Sequence, residues 1–144
     1  MQPPFATSFQ FRVTFDLSPD VADTRFQSVS GLQVSYETFA VKEGGENRFV
    51  HQLPERTSYQ DVVLKRAIVT DSAVVEWCRE AFENFRFQPV TVTIQLLNPR
   101  SEPLRSWHLD RAWPKQWELG ELNAENNGLV IESLTLSYRR FHAN

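Results

Sequence analysis

Phe9, Phe11, Val13, Phe15 and Leu17 alternate with Gln10, Arg12, Thr14 and Asp16, a strict period of two. Successive side chains of a strand point to opposite faces, so this pattern predicts a strand with one buried and one wet face. Ser18-Pro19-Asp20 ends it. A second strand is expected from about Phe26 to Phe39, with Gly31 inside it as a bulge or bend. From Ala40 to about Ser58 the periodicity is lost, and Gly44, Gly45, Asn47 and Pro54 suggest a long loop. Loops of that length in a small domain are often functional or interface-forming. A third strand is expected over Tyr59–Val69, apolar at Val62, Val63, Leu64, Ile68 and Val69 and interrupted by Lys65-Arg66.

Asp71 or Ser72 can cap a helix. Val74, Trp77, Cys78, Ala81 and Phe85 follow at three- and four-residue steps, an apolar stripe on a helix of about three turns. Beyond Pro89, Val90, Val92, Ile94 and Leu96 alternate with Thr91, Thr93 and Gln95. Asn98-Pro99-Arg100-Ser101 turns the chain. Trp107, Leu109 and Trp113 then alternate with Ser106, His108 and Asp110, and Asn126-Asn127-Gly128 marks another turn. In the last strand Leu134, Leu136 and Tyr138 face one way, and Ser133, Thr135 and Ser137 the other. Half-wet strands around one helix predict a mainly β fold, a β-sandwich or open barrel.

A chain of 144 residues has the length of one domain spanning 1–144 and can bury a core. Its 41% hydrophobic and 23% charged residues read as soluble and globular. A formal charge of −3 argues against a general phosphate-binding surface. Cys78 is the only cysteine, so no disulfide can form within the chain. Residues 1–6 show no secretion signal and no segment reaches the ~20 apolar residues of a membrane span, so cytoplasmic synthesis is expected.

Candidate chemistry is sparse. His51, His108 and His142 lie on different segments and show no metal-ligand spacing. Cys78 sits on the helix stripe beside Trp77, where a buried inert thiol is expected rather than a nucleophile. Gly44-Gly45 is not followed by a phosphate-loop lysine, and Ser30 lacks the glycine pattern of a hydrolase elbow. Asp110, Glu118, Glu121 and Glu125 show no acid–base pairing. Trp107, Trp113 and Trp117 with Arg105, Arg111 and Lys115 could form a base-stacking platform. Acidic Asp110 and Glu118 weaken that, and core or subunit-interface aromatics fit better. No enzyme signature and no cofactor site emerges.

A ladder of short motifs runs along the chain. It comprises Phe26-Gln27-Ser28-Val29-Ser30-Gly31-Leu32, Lys42-Glu43-Gly44-Gly45-Glu46-Asn47, Leu53-Pro54 and Val62-Val63-Leu64-Lys65-Arg66. It continues with Arg86-Phe87-Gln88-Pro89-Val90, with Trp107, with Ala112-Trp113-Pro114-Lys115, and with the closing stretch from Val130 to Tyr138. In order and spacing the ladder resembles the tail-tube proteins of contractile phages and phage-like contractile injection systems. The resemblance implies a structural inner-tube subunit and no enzyme. Hexameric rings whose sheets join into one large β-barrel would stack into a tube around a channel. Implied partners are further copies of the chain, sheath, baseplate and cap proteins, and lumen cargo, either effector protein or phage DNA. The implied location is a phage-like particle assembled in the cytoplasm.

Polar strand faces suit a water-filled bore, so Gln10, Arg12, Thr14, Asp16, Thr91, Thr93, Gln95, Ser133, Thr135 and Ser137 are candidate lumen residues. From pattern alone these faces simply meet solvent, and only the resemblance turns them toward a channel. Lys42, Glu43, Gly44, Gly45, Glu46, Asn47 and Arg48 form a candidate inter-subunit loop. Its glycines allow close backbone approach and its charges offer both signs. The alternatives are a tube-initiator paralogue at the baseplate, a monomeric ligand-binding β-sandwich, and a small β-fold enzyme.

Overall fold

The computed structural model describes residues 9–17, 19–23, 26–42, 50–67, 72–125 and 130–144. The elements run β1 (Gln10–Phe15), β2 (Val21–Asp23), β3 (Phe26–Ser30), β4 (Val34–Lys42), β5 (Val50–Tyr59), β6 (Val62–Ala67), α1 (Ala73–Asn84), β7 (Val90–Leu97), β8 (Pro103–Leu119), β9 (Ile131–Ser137) and β10 (Arg140–Ala143). One antiparallel sheet follows the order β2-β1-β7-β8-β9-β6-β3, with β10 also on β8, while β4 and β5 pair only with each other. The fold is mainly β with one helix, and the large sheet ends in two separate edge strands.

The sheet wraps its apolar side around one core because β8 turns a corner. At 17 residues it pairs with β7 through its first part and with β9 through its second. At the corner Val90 and Val92 of β7 oppose Ala112 and Leu109, so β8 carries one extra residue. Arg111 adopts φ 55° there, the left-handed conformation of a bulge that sharpens strand twist. A second irregularity lies between Pro114 and Gln116. Val13, Phe15, Val92, Ile94, Leu109 and Ala112 from one half meet Phe26, Val62, Leu64, Leu134 and Leu136 from the other.

Helix α1 closes this core. Ser72 Oγ accepts from the Val74 and Val75 amides at 3.0 and 3.3 Å, satisfying donors at the helix N-terminus. Val74, Val75, Trp77, Cys78 and Ala81 are buried, with the Trp77 ring 5.7 Å from Phe15. Phe85, expected on the apolar stripe, is instead the left-handed C-cap at φ 53° and is 84% exposed.

Three expectations about element bounds are also corrected. The strand expected over Phe26–Phe39 is two strands on different sheets, broken at Gly31. That glycine has φ 92°, and a Cβ on it would lie 2.0 Å from the Asp61 carbonyl oxygen. Most of the loop expected over Ala40–Ser58 is strand. β4 and β5 form a hairpin arm, with Lys42 opposite Val50 and residues 43–49 outside the described set. The strand expected from Tyr59 begins at Val62, because Tyr59 belongs to the arm.

Lys65-Arg66 does not interrupt β6. Lys65 points outward, while Arg66 is buried opposite Glu132 in a cross-strand pair, Nε to Oε2 3.5 Å. Trp117 Nε1 donates to Glu132 Oε1, and the Arg66 guanidinium lies 4.9 Å from the Phe26 ring centre.

Candidate assembly surfaces

Every strand of the large sheet gives one side to the core, so its outer side falls into two faces, one on each half. On the first half, Arg12 lies opposite Gln95 and Gln95 opposite Ser106. Thr14 lies opposite Thr93, Thr93 opposite His108, and His108 opposite His142. Thr93 Oγ1 is 3.1 Å from His108 Nδ1, and Asn144 Nδ2 is 3.0 Å from His108 Nε2. The Asp16 amide donates to the Thr91 carbonyl at 3.0 Å, extending the face past the end of β1. The candidates of β1 and β7 thus form one polar surface. Sequence reasoning omitted Ser106, His108, His142 and Asn144 from it. The first two could have been found, because they alternate with Trp107 and Leu109.

Two carboxyls meet at the rim of this face. Asp20 has its pKa raised, first by a hydrogen bond with the Asp16 side chain and then by burial and by that neighbour's charge.

Ser133, Thr135 and Ser137 lie on the other half. Ser133 sits between Lys65 and Glu118, Thr135 between Val63 and Gln116, and Ser137 opposite Trp113. The two halves press their inner sides on a common core, so these residues point away from the β1–β7 set. The second face is also less uniform, mixing charges with Val63 and Trp113.

The arm is a third surface. Residues 34–41 and 52–58 are exposed throughout, including Val34, Tyr36, Phe39, Val41 and Leu53. An ion pair between Arg56 and Glu37, 3.0 Å, and a Thr38–Gln52 hydrogen bond, 2.8 Å, tie its strands together. Among the described residues its ring contacts with the body lie at its root, where the Tyr59 ring is 5.1 Å from Phe141 and 6.1 Å from Tyr138. Tyr138 donates to the Gln60 carbonyl at 2.6 Å, and burial, Asp61 and Tyr59 push its pKa up to about 12. The candidate loop joins the far end of this arm. Lys42 is its last described residue, and Glu43, Gly44, Gly45, Glu46, Asn47 and Arg48 lie outside the described set.

Among the described residues no cluster of three or more His, Cys, Asp and Glu could hold a metal ion. No described helix is long and apolar enough to cross a membrane. Cys78 is buried, and burial first, then the Glu132 charge, push its thiol up to about 12.

Residues 7–142 match the family model described as T4-like virus tail tube protein gp19. The chain belongs to this tail tube family. Its fold is shared by a chain of the anti-feeding prophage (AFP) baseplate, a 6-fold symmetrised cryo-EM structure. The two are 26% identical with a TM-score of 0.82, over 100% of this chain and 97% of that one. A chain of the PVC sheath-tube complex, an extracellular contractile injection system in its extended state, has 22% identity and a TM-score of 0.80 over 98% and 92%. Hcp1 from Flavobacterium johnsoniae shows the same fold at 13% identity and a TM-score of 0.60, covering 94% of each chain. No curated protein sequence matches. The tail tube protein is thus of the kind found in contractile injection systems and phage tails.

Proposed function

We propose that this tail tube protein is a structural subunit, not an enzyme, and that copies form six-fold rings stacked around a channel that carries cargo. The observation that carries this reading is the polar outer face running across β1, β7, β8 and β10 in a chain of this family. Thr14, Thr93, Gln95, Ser106 and His108 give that face hydrogen-bonding capacity, and its charges balance, Arg12 against Asp16 and Arg140 against Asp110 in an ion pair of 3.9 Å. Such a wall holds water and offers a passing polymer no strong sticking point. Of the two outer faces this is the one assigned to the channel. The Ser133–Ser137 face, flanked by Lys65 and Glu118, is assigned to the outside, toward a sheath. Six-fold symmetry draws its support from the AFP baseplate relative.

With strands about 4.8 Å apart, the five strands β2, β1, β7, β8 and β10 of six copies would give a backbone cylinder roughly 45 Å across. The arm reaches an adjacent ring, with Lys42–Arg48 at its tip. Negative-stain microscopy of purified protein, with mass by light scattering, tests the reading. Rings or tubes with a central hole are expected, and a persistent monomer at high concentration and in the presence of its baseplate and sheath proteins would overturn it. The baseplate relative favours one second reading, a single initiating ring. Rings that never lengthen would select it.

A further inference from the structure

β8 has a second, unpaired side. Between Pro103 and Ala112 it carries β7 on one edge and β10 on the other. From Trp113 to Leu119 it carries β9 on the β10 edge, and β7 has already ended at Val90. Among the described residues no strand pairs with the β7-side edge of Trp113–Leu119, and no other backbone hydrogen bond reaches it. An open edge of this length is a template for another strand.

An aromatic ledge runs beside that edge. Phe82 stacks on Trp117 at 6.5 Å, Phe87 meets Trp113 edge-on at 5.6 Å, and Phe85 meets Phe87 at 5.0 Å. All three phenylalanines are exposed, Phe85 by 84%. Phe85 is doubly costly to an isolated subunit. It occupies a left-handed helix cap that suits glycine, and it holds a large apolar ring in water. Both costs make sense if another surface covers the ring.

We infer that the open edge Trp113–Leu119 and the Phe82–Phe85–Phe87 ledge receive the β4–β5 arm of a second copy of this chain. The arm fits by length and by chemistry. It pairs nine positions, whereas β2 has three residues and β10 four, too short to cover the edge. Both outer edges of the arm are unpaired among the described residues, so it can add a strand. Phe39, Val41 and Leu53 give it exposed apolar groups for the ledge. Edge addition supplies backbone hydrogen bonds, and side-chain contacts fix the register. The contact is heterologous, arm to ledge, so it propagates from copy to copy. The inference rests on the tube reading and names the seat of its arm.

Complementation tests it. One variant carries Phe39→Ser and Leu53→Ser on the arm, the other Phe85→Gly on the ledge. Phe85→Gly suits the left-handed cap, so the subunit should melt no lower than the parent while losing assembly. Each variant alone should fail to lengthen into tubes under conditions where the parent forms them. Mixed, they should form a one-to-one complex of twice the mass of either assembly alone by light scattering, because each supplies the half that the other lacks. Normal tubes from either variant, or a mixture that gives no such complex beside an assembling parent, would overturn the inference and leave the tube reading standing. A parent that never assembles, even with its baseplate and sheath proteins, would remove both.

Discussion

Arg66 and Glu132 carry opposite charges deep in a core that is otherwise apolar. Removing one member of such a pair leaves a buried charge without its counterion, which costs about 3–5 kcal/mol, whereas exchanging both for apolar residues is often neutral. Glu132→Ala should therefore lower the urea midpoint sharply, and Arg66→Met with Glu132→Leu should recover most of the loss. A single variant that unfolds like the parent would show that the pair carries no such strain. Cys78 lies against the same pair, with its thiol pKa pushed up to about 12. Thiolate is the reactive form, so a disulfide reagent at pH 8 should label Cys78 only as fast as the subunit unfolds. Rapid stoichiometric labelling of native protein would contradict that. In the sequence the pair is hidden, because Lys65-Arg66 looks like a polar break. Only the register across β6 and β9 shows one side chain outside and the other facing a carboxylate.

At the scale of elements, legibility followed burial. β1, β7 and β9 were readable because one face of each meets the core and the other meets water, which writes a period of two into the sequence. The arm was not, because both its faces are exposed and burial imposes no alternation on residues 34–41 and 52–58. β8 was only partly readable. Its bulges shift the inward positions from Leu109 to Ala112, and from Pro114 to Trp117, in steps of three. β2 and β10 are too short to show a period. Of the candidate site, the grouping of Gln10–Asp16 with Thr91–Gln95 needed the sheet order, as did the separation of Ser133–Ser137 from both. Gly31 marks the break from body to arm, and its role is sharper than a tolerated bend. Gly31→Ala would cost roughly 1–3 kcal/mol from backbone conformation alone, before the clash with the Asp61 carbonyl is added. A melting temperature within a degree of the parent would show that the chain relaxes around that residue.

The whole molecule keeps its folding and proposed assembly surfaces apart, so each can be altered separately. Arg12 is the one cation among the candidate channel residues of β1 and β7. Arg12→Glu should leave rings intact and change which cargo they hold, as read by microscopy and by the protein or nucleic acid recovered with the tubes. Loss of rings would move β1 out of the channel wall. Deleting Glu43–Asn47 shortens the arm tip, so the subunit should keep its melting temperature and fail to lengthen into tubes. Tubes of ordinary length would take the tip out of stacking. β8 limits how far such separation can go. One continuous strand borders β7, β10 and β9, and it passes from one half to the other at Arg111. Neither half can open without stripping hydrogen bonds from a strand that the other half holds. The two halves should therefore exchange hydrogen as one cooperative unit, with the slowest amides around the corner. The arm, whose described ring contacts with that unit lie at its root, should exchange by its own smaller openings.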